Sequence, residues 1–446
     1  MNVHRYHRKL IDCFCVALVA TPLAAYASPN FLNTGSMNTS RLAHSATLLP
    51  NGRVLAVGGS VLQYGDYTSS AEIYNPTIGT WTNTGSLNIA RYNHTATLLK
   101  NGKVLVTGGN GSLPWLASAE LYDPATQKWV GSGSLNTGRE LHTATLLTHG
   151  EVLVAGGYGN GNLASTELYD SSEGSWSNIG SLKNARYGHT ATLLPNGKVL
   201  VAGGATTSGS YLPITLASAE LYDPETRTWT LTGFMNVSRW QHTATLLKNG
   251  KVLVTGGRNF DHTNTINSSS EIFDPANGKW SPAGEMTTAR YLHTATLLAN
   301  GQVLVAGGSA ETNDDIVHFS SAELYDPATK KWAATGSMNE LRSLPTATKL
   351  KNGQVLVVGG GSGTDGNLSS AELYSFIAPT PTITLIKAVK PSFSNLSVGT
   401  SYQLQVSGDL LTWTNQGASF KATSSSMVYP KYWDADNWGK LFFRIQ

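Results

Sequence analysis

Residues 95–109 read Thr-Ala-Thr-Leu-Leu-Lys-Asn-Gly-Lys-Val-Leu-Val-Thr-Gly-Gly, two short apolar runs joined by Asn-Gly and closed by two glycines. Asn-Gly between such runs predicts a β-hairpin, because both central residues of a type I′ turn need positive φ. The pattern recurs along the chain, with its closing glycines 47 to 53 residues apart. The glycine pairs are Gly58-Gly59, Gly108-Gly109, Gly156-Gly157, Gly203-Gly204, Gly256-Gly257, Gly307-Gly308 and Gly359-Gly360. The chain is therefore predicted to contain seven copies of one all-β unit.

The second unit, from Arg91 to Trp129, shows what one copy contains. After the hairpin come a loop, a third strand at residues 118–122, a turn at Asp123-Pro124 and a fourth strand that carries Trp129. Proline presets the φ of such a turn. Four antiparallel strands repeated seven times predict an all-β fold, a seven-bladed β-propeller.

The two ends of the repeat predict how the ring closes. The seventh unit stops at residues 370–374, with no Asp-Pro turn and no fourth-strand tryptophan after it. At the other end, Phe31 precedes Gly35 by four residues, as Trp81 precedes Gly85. We therefore predict that the N-terminal strand completes the last blade, which removes the exposed strand edges of an open array.

The regions outside the repeats predict export and a second domain. Residues 1–27 combine a basic start, an apolar stretch and Ala25-Tyr26-Ala27, as a signal peptide does. The predicted order is a signal peptide at 1–27, the propeller at 28–377, a Pro/Thr linker at 378–382 and a small β-sandwich-like domain at 383–446. The expected location is therefore extracellular or periplasmic.

Composition excludes several classes of function. Removing the leader, with Arg5, Arg8, Lys9 and Asp12, leaves 28 basic and 27 acidic residues. A nearly neutral chain gives no electrostatic reason to expect nucleic acid as a partner. No other apolar run reaches the roughly 20 residues of a membrane span, so no membrane insertion is expected. We expect a monomer.

The repeat resembles that of kelch proteins, in the seven-bladed arrangement of the galactose oxidase central domain. The resemblance covers residues 31–376 and rests on the twin glycines, the third-strand aromatic residues and the fourth-strand tryptophans. The third-strand residues are Tyr74, Tyr122, Tyr169, Tyr222, Phe273, Tyr325 and Tyr374. The tryptophans are Trp81, Trp129, Trp176, Trp229, Trp280 and Trp332. The resemblance implies a propeller of a secreted bacterial type, while kelch propellers range from oxidases and a sialic-acid mutarotase to interaction modules.

Residues that recur in every unit are interpreted as architectural. Each unit has an arginine and a third-strand glutamate, which predict an ion pair between blades or a clamp on a loop. Six units also have a histidine three residues after the arginine, and Pro345 replaces it in the seventh. The histidines are His44, His94, His142, His189, His242 and His293. Blade sheets stand radially, so these side chains should face neighbouring blades rather than bind a metal.

Positions that vary between units are the candidate ligand contacts. The stretch between the twin glycines and the third-strand glutamate varies from 11 to 17 residues, and strand alternation puts these loops on one face with the inter-blade connections. Binding surfaces are usually built from such loops on a rigid scaffold. The predicted ligand-binding residues are Tyr92, Tyr187, Trp240 and Tyr291 after the repeated arginines, with Trp115 and Tyr211 in the loops.

Catalytic motifs are weak. Gly361-x-Gly363-x-x-Gly366 resembles a dinucleotide fingerprint, but no helix follows it. The copper-radical cofactor of galactose oxidase needs a cysteine linked to a tyrosine, and Cys13 and Cys15 both lie in the predicted leader. We therefore predict no cofactor and no metal site.

Three hypotheses follow for the function. The first is a secreted, non-enzymatic binding protein that presents its variable loops to a glycan or protein ligand. The second is a carbohydrate-active enzyme, similar to a mutarotase or an oxidase, with Glu140 and His262 as its acid–base candidates. The third is a surface or matrix component that its C-terminal domain attaches to the cell, with the propeller as a spacer.

Overall fold

The computed structural model describes residues 30–61, 66–207, 213–260, 265–311, 315–363 and 366–376, and shorter stretches between 388 and 445. The predicted signal peptide and linker lie outside the described residues. Strands and turns make up the described residues, which contain no helix. None of them forms a helix of the length and hydropathy that a membrane span requires.

Seven four-stranded antiparallel sheets form the blades, which are numbered 1 to 7 here in chain order. The first strands are Ser45–Leu48, Thr95–Leu98, Thr143–Leu146, Thr190–Leu193, Thr243–Leu246, Thr294–Leu297 and Thr346–Lys349. The second strands are Val54–Val57, Val104–Thr107, Val152–Ala155, Val199–Ala202, Val252–Thr255, Val303–Ala306 and Val355–Val358. The third strands are Ala71–Asn75, Ser118–Asp123, Ser165–Asp170, Ala219–Asp223, Ser269–Asp274, Ala322–Asp326 and Ala371–Ser375. The fourth strands are Thr80–Thr84, Lys128–Ser134, Ser175–Ser181, Thr228–Leu231, Lys279–Glu285, Lys331–Ala334 and, for blade 7, Asn30–Thr34.

The ring is closed by the N-terminal strand, as the sequence predicts. Asn30–Thr34 pairs antiparallel with Ala371–Ser375, and Phe31 lies opposite Tyr374 with their ring centroids 4.9 Å apart. The first strands of adjacent blades contact one another all round the ring, including blade 1 against blade 7. The seven-bladed propeller is confirmed.

The hydrophobic core lies between blades. Every residue of each second strand is buried, because the strand has a neighbouring blade on both sides. A strand buried on both faces has a continuous apolar run rather than alternation, which explains the Val-Leu-Val signature. In six blades the third-strand aromatic residue also packs on the fourth-strand tryptophan, with centroids 5.0 to 5.1 Å apart.

The repeated arginine and glutamate form a clamp within each blade. In blade 1, Nη1 of Arg41 donates to the carbonyl of Gly58 at 2.8 Å, and Nη2 donates to Glu72 at 2.9 Å. Glu72 also accepts hydrogen bonds from the backbone amides of Asn38 and Thr39 in the incoming connection. The equivalent arginines, all fully buried, are Arg41, Arg91, Arg139, Arg186, Arg239, Arg290 and Arg342. The pair is therefore a loop clamp and not a bond between blades.

The twin glycines join one blade to the next. While the carbonyl of Gly58 accepts from Arg41 of its own blade, the amide of Gly59 donates to the carbonyl of Arg91 in the following blade at 2.8 Å. Both glycines have positive φ, of 61° and 102°. A Cβ on Gly58 would lie 2.5 Å from the Arg91 carbonyl oxygen, so a side chain has no room at this joint.

The six repeated histidines connect neighbouring first strands. Nε2 of His142 lies 3.0 Å from Oγ1 of Thr95, the first residue of the previous blade's first strand, and the other five histidines repeat this contact. Pro345 replaces the histidine in blade 7, and Thr294 of blade 6, which therefore has no such partner, donates to the carbonyl of Ala306 in its own blade instead. The histidines thus lie against neighbouring blades, as the architectural interpretation expects.

Two kinds of additional strand complete the structure. Blades 3, 4 and 6 have short hairpins in the loops between their second and third strands. These hairpins are Tyr158–Gly159 with Gly161–Asn162, Ala205–Thr207 with Pro213–Thr215, and Ser309–Glu311 with Ile316–His318. The C-terminal region forms a separate compact unit with strands Ala388–Val389, Ser392–Ser394, Ser401–Tyr402, Leu404–Ser407, Thr414–Asn415, Phe420–Lys421, Ser426–Val428, Trp433–Asp434 and Phe442–Ile445. A β-sandwich for this unit stays a prediction.

Ring closure can be tested with two substitutions in one strand. Phe31 is buried, whereas Leu32 beside it is 56% exposed. We expect Phe31→Ala to lower the free energy of unfolding by about 3 kcal/mol, because it leaves a cavity against Tyr374. Leu32→Ala should change it by less than about 0.5 kcal/mol. Urea unfolding measures both, and equal effects would contradict closure by this strand.

The clamp can be tested within blade 4. Glu220→Gln leaves the Arg186 charge buried without its partner, which should cost about 3 kcal/mol or more of unfolding free energy. The control is Lys198→Gln, which removes the exposed pair between Lys198 and Asp223 and should cost less than about 1 kcal/mol. Thermal unfolding compares the two variants, and a loss no larger for Glu220→Gln would contradict the clamp.

The buried histidines predict loss of stability in acid. Burial, with a smaller contribution from nearby arginine charges, lowers the pKa of His44, His142 and His242 to about 3. Their contribution is complete above the unfolded pKa of about 6.5 and is lost as the pH falls towards 3, because only the unfolded chain binds protons in that interval.

The measurement is the free energy of unfolding between pH 7 and 4, for the wild type and His142→Gln. We expect the slope of the variant to be shallower by about 1.4 kcal/mol per pH unit. Identical slopes would show that His142 is protonated in the folded state.

Candidate ligand-binding face

The variable loops and the inter-blade connections lie on one face of the propeller, as predicted. In each blade the residue after the repeated arginine forms a backbone bridge with the residue after the twin glycines. The bridges are Leu42 with Ser60, Tyr92 with Asn110, Glu140 with Tyr158, Tyr187 with Ala205, Trp240 with Arg258, Tyr291 with Ser309, and Ser343 with Gly361. We call this surface the loop face and the opposite surface, with its Asn-Gly and Asp-Pro turns, the turn face.

The centre of the loop face is a ring of backbone hydrogen bonds. The residue two positions after each arginine has positive φ, between 51° and 60°, and six of the seven donate their amide to the carbonyl of the equivalent residue in the previous blade. These residues are Ala43, Asn93, Leu141, Gly188, Gln241, Leu292 and Leu344. Left-handed backbone in residues other than glycine is uncommon and tends to occur at functional sites. The ring fixes the directions of the side chains beside it.

Five aromatic rings form a continuous band across blades 2 to 5, which we call the aromatic arc. Neighbouring ring centroids are 5.0 to 6.2 Å apart, and three of the four contacts are edge-on. The members are Trp115, Tyr158, Tyr187, Trp240 and Phe260. All five side chains are partly exposed. Such rings offer apolar surface with polar edges, which suits ligand capture.

The Trp240 side chain covers Gly188 of the inner ring. A Cβ on Gly188 would lie 2.3 Å from Nε1 of Trp240, so only glycine allows the indole this position. Gly188 is the single glycine among the seven left-handed inner-ring residues. The close approach fixes the plane of the indole at the middle of the arc.

An ion pair continues the arc towards blade 6. The guanidinium of Arg258 lies 4.6 Å from the ring centroid of Phe260 and 5.7 Å from that of Tyr291. Both of its Nη atoms contact the carboxylate of Glu311, with Nη2 and Oε2 2.6 Å apart, and Tyr291 donates to the same carboxylate at 3.3 Å. Arg258 thus joins the arc to Tyr291.

A second aromatic pair lies on the other side of blade 3. The rings of Tyr67 and Tyr92 are 6.2 Å apart and nearly parallel, with an interplanar angle of 25°. They line a cavity of about 240 Å³ together with Leu42, Ala43, Ser60, Asn93 and Leu344. This cavity lies at the inner ring between blades 7, 1 and 2.

Glu140 occupies the central position of blade 3, between the two aromatic groups. Oε2 accepts from Nδ2 of Asn93 at 2.9 Å and Oε1 accepts from Nδ2 of Asn110 at 3.0 Å. Burial, followed by the charges of Glu140 and Tyr67, raises the pKa of Tyr92. The carboxylate is therefore held in a fixed direction beside the tyrosine.

Small polar side chains replace aromatic ones in blades 6 and 7. Oγ of Ser309 lies 2.8 Å from Nδ1 of His318 and donates to Oγ of Ser343 at 2.7 Å. Burial lowers the pKa of His318, and the charge of Asp315 opposes the shift. Both serines are buried, so this polar cluster lies beneath the surface of the loop face.

The turn face has cavities of its own, which the repeat explains. One of about 720 Å³ lies between blades 7 and 1 and is lined by Asn51, Arg53, Asn75 and Lys351, among others. Similar cavities lie at the equivalent turns of blades 1 and 2 and of blades 5 and 6. Since these sites recur with the repeat, they indicate architecture rather than one ligand.

The structure brings together only some of the predicted ligand-binding residues. Trp115, Tyr187 and Trp240 meet in the aromatic arc through Tyr158 and Phe260, two further variable-loop residues. Tyr92 belongs to the separate pair with Tyr67, and Tyr291 is 5% exposed. Tyr211 and His262 lie outside the described residues.

Sequence reasoning missed Arg258, Glu311 and Tyr67. Arg258 directly follows a pair of glycines, at a position that differs in type from blade to blade. Glu140 was predicted as a candidate because its residue type breaks the repeat pattern. The same criterion, applied to the position after the twin glycines, identifies Arg258.

The residues present do not fit the copper-radical site of galactose oxidase. The central positions of the loop face are Leu42, Tyr92, Glu140, Tyr187, Trp240, Tyr291 and Ser343, a set with no histidine or cysteine. Within the described ranges, no group of three or more histidine, cysteine, aspartate or glutamate side chains could hold a metal ion. No copper chemistry is therefore derived for this face.

Comparison with known proteins places the repeats in one family. Residues 141–360 match the KLHDC2/KLHL20/DRC7 Kelch-repeats domain, and residues 41–88 and 90–136 match the Kelch motif. A solved structure described as a fungal alcohol oxidase in complex with copper superimposes with a TM-score of 0.67 over 85% of this chain and 86% of that one, at 18% identity. At that identity the likeness concerns the fold alone.

Curated relatives match over shorter stretches. The spermatocyte protein spe-26 of Caenorhabditis elegans is 28% identical over 168 residues, which are 35% of this chain and 27% of that protein. An F-box/kelch-repeat protein of Arabidopsis thaliana is 38% identical over 28% of this chain and 33% of its own length. Galactose oxidase of Gibberella zeae is 30% identical over 19% of this chain and 11% of its own length. The chain spans a third or less of each of these relatives, and with its repeats matched from residue 41 to residue 360 it belongs to the kelch-repeat propeller proteins.

Proposed function

We propose that this protein is a binding protein that captures a glycan on its loop face. The observation that carries the proposal is the aromatic arc, five partly exposed rings held in contact across four blades. Binding sites are typically lined by aromatic side chains with a few fixed polar groups, and here Glu140 and the Arg258–Glu311 pair supply those groups.

A glycan fits the arc better than a protein does. The five rings contact one another in succession across four blades, and two of the five, Tyr158 and Tyr187, carry a phenolic hydroxyl for hydrogen bonds. A protein partner would be expected to need a broader apolar centre with buried anchors. Protein capture is therefore the alternative outcome of the test below.

Catalysis by Glu140 has little support in the geometry. Both of its oxygens accept from amide groups, and neither Asn93 nor Asn110 can take up or release a proton near neutral pH. The two amides orient the carboxylate, and we assign it to ligand recognition in this proposal. We also propose that the protein acts after export, on the basis of the predicted signal peptide.

The test is glycan-array binding of the full-length protein and of Trp240→Ala. We expect the substitution to weaken binding by at least about tenfold, because central aromatic contacts dominate interface energies. The matched control is Phe234→Ala, which removes an aromatic side chain that is 63% exposed and outside the arc, and which should bind as the wild type does.

Two results would contradict the proposal. One is an array on which the wild-type protein binds nothing, together with capture of a protein in a pull-down from cell-surface extracts. The other is equal glycan binding by the wild type and Trp240→Ala, with circular dichroism showing that both are folded.

A further inference from the structure

Glu140 is the single carboxylate among the seven central positions of the loop face. Its neighbours at the equivalent positions of blades 2 and 4 are both aromatic, Tyr92 and Tyr187. Its own backbone pairs with that of Tyr158. A negative charge therefore lies where the Tyr67–Tyr92 pair and the aromatic arc approach each other.

The charge of Glu140 is oriented but not neutralised. Its two hydrogen bonds come from the uncharged amides of Asn93 and Asn110. A carboxylate offers about four lone-pair positions, so two remain for a ligand. In the part of the chain that the structure describes, none of the ion pairs involves Glu140.

Other strong charges around the centre are balanced by partners. The seven buried arginines each pair with a third-strand glutamate, and Arg258 pairs with Glu311. Among the seven central positions of the loop face, Glu140 is thus the one that brings a negative charge to a ligand at the inner ring. An anionic sugar would be repelled from this position, and a cation would gain a charge-assisted hydrogen bond.

The cavity lined by Tyr67 and Tyr92, which shares Asn93 with Glu140, also suits a cationic ligand. Its volume is about 240 Å³, and Tyr67 and Tyr92 form one wall. Asn93 lines the cavity and also holds Glu140. The faces of tyrosine rings attract cations electrostatically, and a carboxylate behind them adds to that attraction.

We propose that the loop face is selective for a glycan that carries a protonated amine, an amino sugar. In this arrangement the ammonium group contacts Glu140 beside Tyr92, while the sugar rings lie along the aromatic arc. The proposal rests on the proposed function, because it specifies the ligand class of the same face. It also explains why blade 3 has a glutamate where blades 2 and 4 have tyrosine.

The experiment measures the affinity of the full-length protein for two probes, a glucosamine tetramer and the matching N-acetylglucosamine tetramer, by calorimetry. We expect the glucosamine tetramer to bind at least about tenfold more tightly, through the charge-assisted contact. In Glu140→Gln we expect this ratio to fall to about one. Glu340→Gln removes the same charge from an exposed position on the connection to blade 7 and should keep the ratio.

A measurement on the wild type alone guards against misfolding of the Glu140 variant. Raising the salt from about 0.05 to 0.5 M should reduce the glucosamine preference, because salt screens charge attraction at partly exposed sites. Equal affinity for the two probes, or a preference that Glu140→Gln retains, would overturn the amino-sugar proposal and leave glycan binding intact. Absence of binding to both probes, and to every glycan of the array, would instead remove the proposed function.

Discussion

The buried arginine at the start of each blade is the constraint on which this propeller depends. Its guanidinium is completely buried, and in blade 4 the two Nη atoms of Arg186 donate to the carbonyl of Gly203, to Ser218 just before the third strand and to Glu220. Because the glutamate also binds the incoming connection, one charge pair fixes where a blade begins. The second glycine then binds the backbone of the next arginine, which passes the same arrangement to the neighbouring blade.

This arrangement leaves the residue after each arginine free to change in type, and the inner-ring residue and the residue after the twin glycines vary as well. The arginine and the residue two places after it are fixed by the clamp and by the inner ring, while the side chain between them points into the loop face. That single position has become leucine, tyrosine, glutamate, tryptophan or serine in different blades. Five of these seven side chains are partly exposed, whereas Tyr291 and Ser343 are buried, and in this way a strongly repetitive chain can carry an asymmetric binding surface.

The fold could be predicted from the sequence because its signals are local and repeated. The Asn-Gly pairs marked the hairpins, although only their glycines have positive φ and the turns are therefore not the type I′ turns that the sequence predicts. The twin glycines marked the joints between blades, and Phe31 matched the tryptophan position closely enough to predict closure. The binding face was predictable only in outline. Trp240, Tyr187 and Trp115 could be picked out as irregular aromatics, but their contacts depend on loop conformations that no short pattern encodes. The contacts of Arg258 with Glu311 and of Tyr67 with Tyr92 could not be predicted because the partners are distant in sequence, although the irregular residue type at position 258 marks Arg258 as a candidate.

The composite blade has a consequence for how the protein reaches its native state. Residues 30 to 34 are synthesised before the seven repeats, yet their partner strand ends at Ser375. The N-terminal strand therefore stays unpaired until nearly the whole propeller has been synthesised. Pairing over such a sequence distance is intrinsically slow. Six blades can form from neighbouring segments of the chain, but blade 7 is completed late, when the N-terminal strand pairs with it. In a truncated chain that lacks the seventh repeat, the N-terminal strand would have no partner strand and could pair with a strand of another molecule.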